Sequence, residues 1–357
     1  MKKWMAAALL AVAPLAAQGD ALPETDDGLG SRLTQVYIAP AMAEFQQAAA
    51  HMGDTLQSAC STAHESGSTE SAAAFERLVK AWAGIEFLRF GPLVDLNRFE
   101  NIYFWPDPRG VMTRQVQGML AKPVAEIPDA RGLASHSIAL KGLPALEYVL
   151  YRNKGLLTGA EADNRDTACA YALAVAGNLE QIGADLAAQW SQGGEQAGLF
   201  ARPNADNPLY RSSQEVAAEV VKALSTGLQF QADVKLAPAL GTDVAKANVR
   251  KAPFWRSGLA ATSIEAAVQG MLAFYDAGQY RFANAAWLDQ NIRGELKRAA
   301  DHLAQMHGST DELFGAEDSH RELVLVTLLL RNAKDLVDQH MAPALGVRIG
   351  FNALDGD

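Results

Sequence analysis

Apolar residues recur at three- and four-residue spacing along almost the whole of this chain, and nowhere do they alternate over paired segments. Such a pattern confines the fold to helices packed on helices, because each apolar stripe must be covered by another element. The expected class is all-α. Nine helices are expected, over residues 29–64, 69–90, 109–121, 133–151, 158–192, 212–234, 257–277, 284–306 and 319–340. Residues 191–208, with Gly193, Gly194, Pro203 and Pro208, form the best break between them. Long helices with short links then give two up-and-down bundles, over residues 18–195 and 209–357. A chain of 357 residues is long enough for two cores.

The first residues stand apart. Lys2 and Lys3 precede an apolar run from Trp4 to Leu15, and Ala16-Ala17 offers a small-residue cleavage site before Gln18. Residues 1–17 read as a signal peptide, which places the mature chain in the periplasm. No later apolar run is long enough to span a bilayer, so no transmembrane segment is expected. The first cysteine is Cys60, so a lipid-bearing N-terminal cysteine is not available. Net charge is −10, or −12 once two lysines leave with the leader. An acidic chain without a Lys/Arg run is a poor nucleic-acid binder. An oxidising compartment permits a Cys60–Cys169 disulfide, the alternative being two buried thiols.

Several charges fall inside apolar stripes. With Trp82 as reference, Phe75, Leu78, Val79 and Ile85 lie within roughly 60° on a helical projection, and Glu86 and Arg89 fall in the same sector. Buried charges need partners, so the two either pair with each other or line a polar pocket. Glu147 lies between Leu146, Leu150 and Tyr151 on another apolar face. It must meet an arginine, amide donors or a metal, or carry a proton. Pro144 either occupies the first turn of that helix or kinks a longer one. Arg256 is a candidate partner for Glu147 or Glu86, and Ser257 a candidate N-cap.

The segment from Asn101 to Arg109 sets Tyr103, Phe104 and Trp105 beside Pro106 and Pro108, and either plugs a bundle end or rims a site. Metal motifs are sparse. No His-Glu-x-x-His pair occurs, and Glu317-x-x-His320 is a single half-motif beside a Ser319/Glu322 pair that reads as a capping box. The almost continuous apolar run 323–330 is expected to be the buried centre of the second bundle.

Taken together, 82–92 (WAGIEFLRFGP), 104–109 (FWPDPR), 142–150 (GLPALEYVL), 253–257 (PFWRS) and the terminal 350–357 (GFNALDGD) resemble the imelysin-like proteins. The resemblance implies two helical bundles related by approximate duplication, a periplasmic or outer-membrane location, a link to iron supply, and a site near a Gly-x-His-x-x-Glu motif. Here Gly142 and Glu147 match and Pro144 stands at the histidine. Imelysins are classed as metallopeptidases, and the substitution removes a metal ligand. The expected function is therefore a binding or accessory protein in iron or metal handling, with an imelysin-type metallopeptidase as the alternative. Its expected site is Glu147, Glu86, Arg89, Trp105, Arg109 and Arg256. Its ligand would be iron or another divalent metal held at Glu147, a metal chelate, or a small anion bound by the arginines; an envelope protein is a further possible partner.

Overall fold

The computed structural model describes residues 27–61, 66–158, 164–282 and 285–347. The expected leader, the end of the expected helix 29–64 and the 350–357 segment lie outside them. Among the described residues there are helices and no strands. In the first half α1 (Leu29–Leu33), α2 (Ala39–Ser61), α3 (Ser66–Ile85), α4 (Arg98–Ile102), α5 (Val111–Leu120), α6 (Ala130–Ala134), α7 (Gly142–Tyr151), α8 (Arg165–Trp190) and α9 (Glu195–Ala201) follow in order. The second half holds α10 (Ser213–Gln229), α11 (Ala237–Leu240), α12 (Ala260–Gly278), α13 (Ala286–Ala304), α14 (Thr310–Gly315), α15 (Glu317–Leu336) and α16 (Ala342–Ala344).

Packing follows the stripes. α2 buries Met42, Phe45, Ala48, Ala49, Met52 and Leu56 against α8 and α3. The small residues of α8 let α2 approach closely along its length. Cys60 on α2 is disulfide-bonded to Cys169 on α8, which resolves the two readings of these cysteines. In the second half α13 packs on both α12 and α15, and α15 on α10. The halves meet where α3 crosses α12. Gly84 and Gly270 make that crossing possible, since a Cβ on Gly270 would lie 2.9 Å from the Gly84 Cα and 2.6 Å from the Tyr37 hydroxyl.

Three helices widen into π-helical segments, Thr34–Ile38, Phe230–Leu236 and Val337–Met341. Each is followed by Ala-Pro-Ala, with Pro40, Pro238 and Pro343 two residues beyond the segment. Proline lacks the N–H that would close an ordinary turn and its ring crowds the carbonyl four residues back, so the turn before it opens by one residue. These segments carry the expected helices 29–64, 212–234 and 319–340 past or through a local change of phase.

Other expectations are corrected. α3 ends at Ile85, so Glu86 and Arg89 lie in the loop beyond it. The expected helix 133–151 is three short elements, because Gly142 resets the chain. The break at 191–208 contains α9, which packs on α1 and α8. α15 starts at Glu317 after Ala316, and the capping box belongs to Ser309 and Glu312 at the start of α14. On α15, Val324, Leu325 and Leu328 are 40, 38 and 50% exposed, so the 323–330 run is buried on one side only. No helix among the described residues is long and apolar enough to cross a membrane.

Candidate functional site

α7 is the most deeply buried helix of the site, with every residue from Gly142 to Leu150 inside. Its start is fixed by Gly142 at φ +81°, where a Cβ would lie 2.3 Å from the Ile102 carbonyl oxygen. No side chain fits there. Pro144 then occupies the first turn, where its missing N–H is harmless, so the helix is not kinked at this point.

One turn later Glu147 projects towards the loop that precedes α12. Its Oε1 accepts three hydrogen bonds, from the Arg256 N–H (3.1 Å), the Ser257 N–H (2.9 Å) and the Ser257 hydroxyl (2.8 Å). Ser257 is thus a Glu147 partner and not the N-cap of α12, which begins at Ala260 after Leu259. The expected Arg256–Glu147 link exists through the backbone. Burial pushes the Glu147 carboxyl above its ordinary range, against the pull of these donors and of the Arg256 charge. Oε2 makes no hydrogen bond among the described residues.

The 253–257 loop is strained to make this contact. Phe254 has φ +48°, a conformation costing about 1–3 kcal/mol for a bulky residue. Stacking of its ring on Tyr103 (centroids 5.3 Å apart) and the Glu147 hydrogen bonds hold it there. Glu147 and this loop enclose a cavity of about 170 Å³. Tyr103, Phe104, Trp105, Phe254 and Trp255 supply aromatic walls, and Arg250, Arg256 and Asp107 supply charge. The 101–109 segment therefore borders a cavity, with Tyr103 itself buried.

The two arginines differ from the acids in how they are held. Arg256 lies over Trp255 (4.3 Å) and Tyr148 (5.1 Å), and Arg250 is 5.9 Å from the same indole. Neither guanidinium makes a hydrogen bond among the described residues. Asp107, by contrast, spends both oxygens on the Val111 and Met112 N–H groups at the start of α5.

The expected site residues separate into three places. Glu147, Trp105 and Arg256 border the cavity. Arg109 is exposed and does not line it. Glu86 and Arg89 form another cluster: Glu86 Oε1 pairs with Lys235 and accepts from Gln231 Nε2 at 3.0 Å. Arg89 does not pair with Glu86. Its guanidinium sits 4.1 Å from the Phe99 ring centre and 4.2 Å from that of Phe230, and burial lowers its pKa. Lys235 and Gln231 belong to the second π-segment, four residues apart. Their place on a widened turn hid them from an α-helical projection. Arg250, missed in the sequence, lies in a 3₁₀ turn with no periodicity to flag it.

A deeply buried α7 carboxylate clamped by a loop from the other half, within an all-helical fold, defines a class of protein. The family model Imelysin (Peptidase_M75) matches residues 38–337, and the chain belongs to the imelysin family. Among solved structures it resembles an imelysin-like protein from Psychrobacter arcticum 273-4, with TM-score 0.75 and 21% identity over 93% of this chain and 99% of that one. It also resembles a protein from Parabacteroides distasonis ATCC 8503 described as a "putative iron-regulated protein A precursor", with TM-score 0.68 and 13% identity over 89% and 96%. At these identities the likeness shows the fold. No curated protein matches.

The peptidase name implies a metal, and the donors here do not fit one. Pro144 offers no donor atom, Glu147 Oε1 accepts three hydrogen bonds, and Asp107 is committed to backbone. Among the described residues no three His, Cys, Asp or Glu side chains stand close enough to share an ion. His320 is buried against the Leu240 carbonyl, at 3.1 Å, remote in role from any such set.

Proposed function

We propose that this chain is an imelysin-family binding protein of the cell envelope, acting in iron or metal handling by holding a small ligand in the Glu147 cavity. The observation that carries this reading is the state of Glu147. One oxygen is spent positioning the 253–257 loop and the other is left unbonded in a residue lining an aromatic cavity. This arrangement suits shaping and recognition, and among the described residues no three metal-ligating side chains stand together beside it. The leader-like residues 1–17 support export to the periplasm. The iron-regulated name of the Parabacteroides relative supports a link to iron supply. A metal would enter as a chelate, with the organic part recognised by the cavity.

The competing reading is a metallopeptidase. Protein substrates are incubated with the metal-supplemented protein, with and without chelator, beside Glu147→Gln. The binding reading expects no cleavage above the variant. Chelator-sensitive cleavage lost in Glu147→Gln overturns it.

A further inference from the structure

We infer that the Glu147 cavity selects a small organic anion, a flat apolar body whose carboxylate is received by Arg250 and Arg256. This inference rests on the cavity being a ligand site and adds the chemical class of the ligand and a residue, Arg250, that recognises it.

The charges lining the cavity are formally balanced, two arginines against Glu147 and Asp107, yet they are not equally available. Asp107 is satisfied by two backbone N–H groups, and Glu147 Oε1 by three donors. The guanidinium groups have ten N–H bonds between them by their chemistry, and none of these meets a hydrogen-bond acceptor among the described residues. Arg256 lies over Trp255 and Tyr148 and Arg250 is 5.9 Å from the same indole, contacts that use no N–H. Arginine presents a planar fork matched to a carboxylate, and stacking on an indole orients that fork in advance. The cavity therefore offers more free hydrogen-bond donors than free acceptors, which suits an anionic head.

Size and shape narrow the class. A cavity of about 170 Å³ is close to the ~150 Å³ engineered cavity that takes benzene, so the enclosed body is about the size of one six-membered aromatic ring. Aromatic walls from Trp105, Phe254 and Trp255 favour a flat, apolar body between them. The unbonded Glu147 Oε2 offers an acceptor to a hydroxyl or ammonium on the same molecule. Its charge disfavours an anion beside it and is offset only in part by Arg256, so the carboxylate head belongs on the arginine side of the cavity and the polar substituent at Glu147.

Calorimetric titration with benzoate, benzyl alcohol and benzylamine tests the inference, because the three share one body and differ in the charge of the head. Benzoate is expected to bind at least tenfold tighter than either of the others. Arg250→Gln, at an exposed residue whose side chain makes no hydrogen bond among the described residues, is expected to weaken benzoate about tenfold or more and to leave benzyl alcohol unchanged. Tighter or equal binding of benzyl alcohol or benzylamine leaves the cavity a ligand site and overturns its selectivity for anions. An unchanged benzoate affinity in Arg250→Gln overturns the role of that residue. Failure of all three probes to bind overturns the ligand-site reading itself, and the anion inference with it.

Discussion

Replacing Lys235 by Met places a sharp test on the buried pair that joins the two halves. Lys235 and Glu86 are both 0% exposed, and their ion pair ties the second π-segment to the loop after α3. Burial lowers the Lys235 pKa while Glu86 raises it, so the lysine charge depends on its partner. Methionine fills a similar volume but leaves the Glu86 carboxylate with Gln231 as its sole hydrogen-bond partner. Breaking one side of a buried pair costs about 3–5 kcal/mol. With an unfolding entropy of about 2.1 cal/mol/K per residue, a folded body of about 310 residues loses roughly 5–8 °C in Tm. Thermal unfolding followed by circular dichroism reads this directly. Glu86→Gln/Lys235→Met removes both charges, and should recover most of the loss, giving a coupling of more than 1 kcal/mol. A single-variant loss below about 1 kcal/mol, or strictly additive effects, would refute the claim that the pair acts as a unit.

Further outcomes follow from the site and its frame. Gly142→Ala forces a side chain to φ +81° and onto the Ile102 carbonyl, so it should cost about 3 kcal/mol and weaken any ligand that Glu147 helps to bind; a neutral effect on chemical denaturation would contradict the fixed start of α7. Replacing Cys60 and Cys169 together by Ser should lower stability by about 4–5 kcal/mol on the chain-entropy argument, and the native protein should show no reactive thiol before reduction. Because folding raises the Glu147 pKa, the stability tied to its protonation is present below the usual carboxylate value near 4.3 and is lost as pH rises through the raised value. The Tm of the native chain relative to Glu147→Gln should therefore fall from pH 4 upward; a rise over that interval would contradict the sign.

Helical periodicity made the all-α fold legible, since the stripes on α2, α8 and α12 are those that pack. Glu147 was legible for the same reason, a carboxylate on an apolar face of a segment that does form a helix. Glu86 was correctly directed inward, but its partner was not readable, because Lys235 comes from a π-segment about 150 residues away and off the α-helical phase. The three Ala-Pro-Ala repeats mark those segments and carry the missing signal. Arg109 and Arg250 show the limit of loop reading: proximity in sequence to an aromatic cluster put the first in the site, and only tertiary packing brings the second there. On α15, hydrophobicity alone overstated burial, as Leu328 shows.

Tryptophan emission during a benzoate titration tests the central claim most directly, because Trp105 and Trp255 both border the Glu147 cavity. A saturable change is expected in the native protein. In Trp105→Phe/Trp255→Phe that change should vanish while the other indoles remain. A signal that persists in the double variant places the ligand elsewhere, and no signal in the native protein leaves the cavity without a ligand; either result contradicts the account.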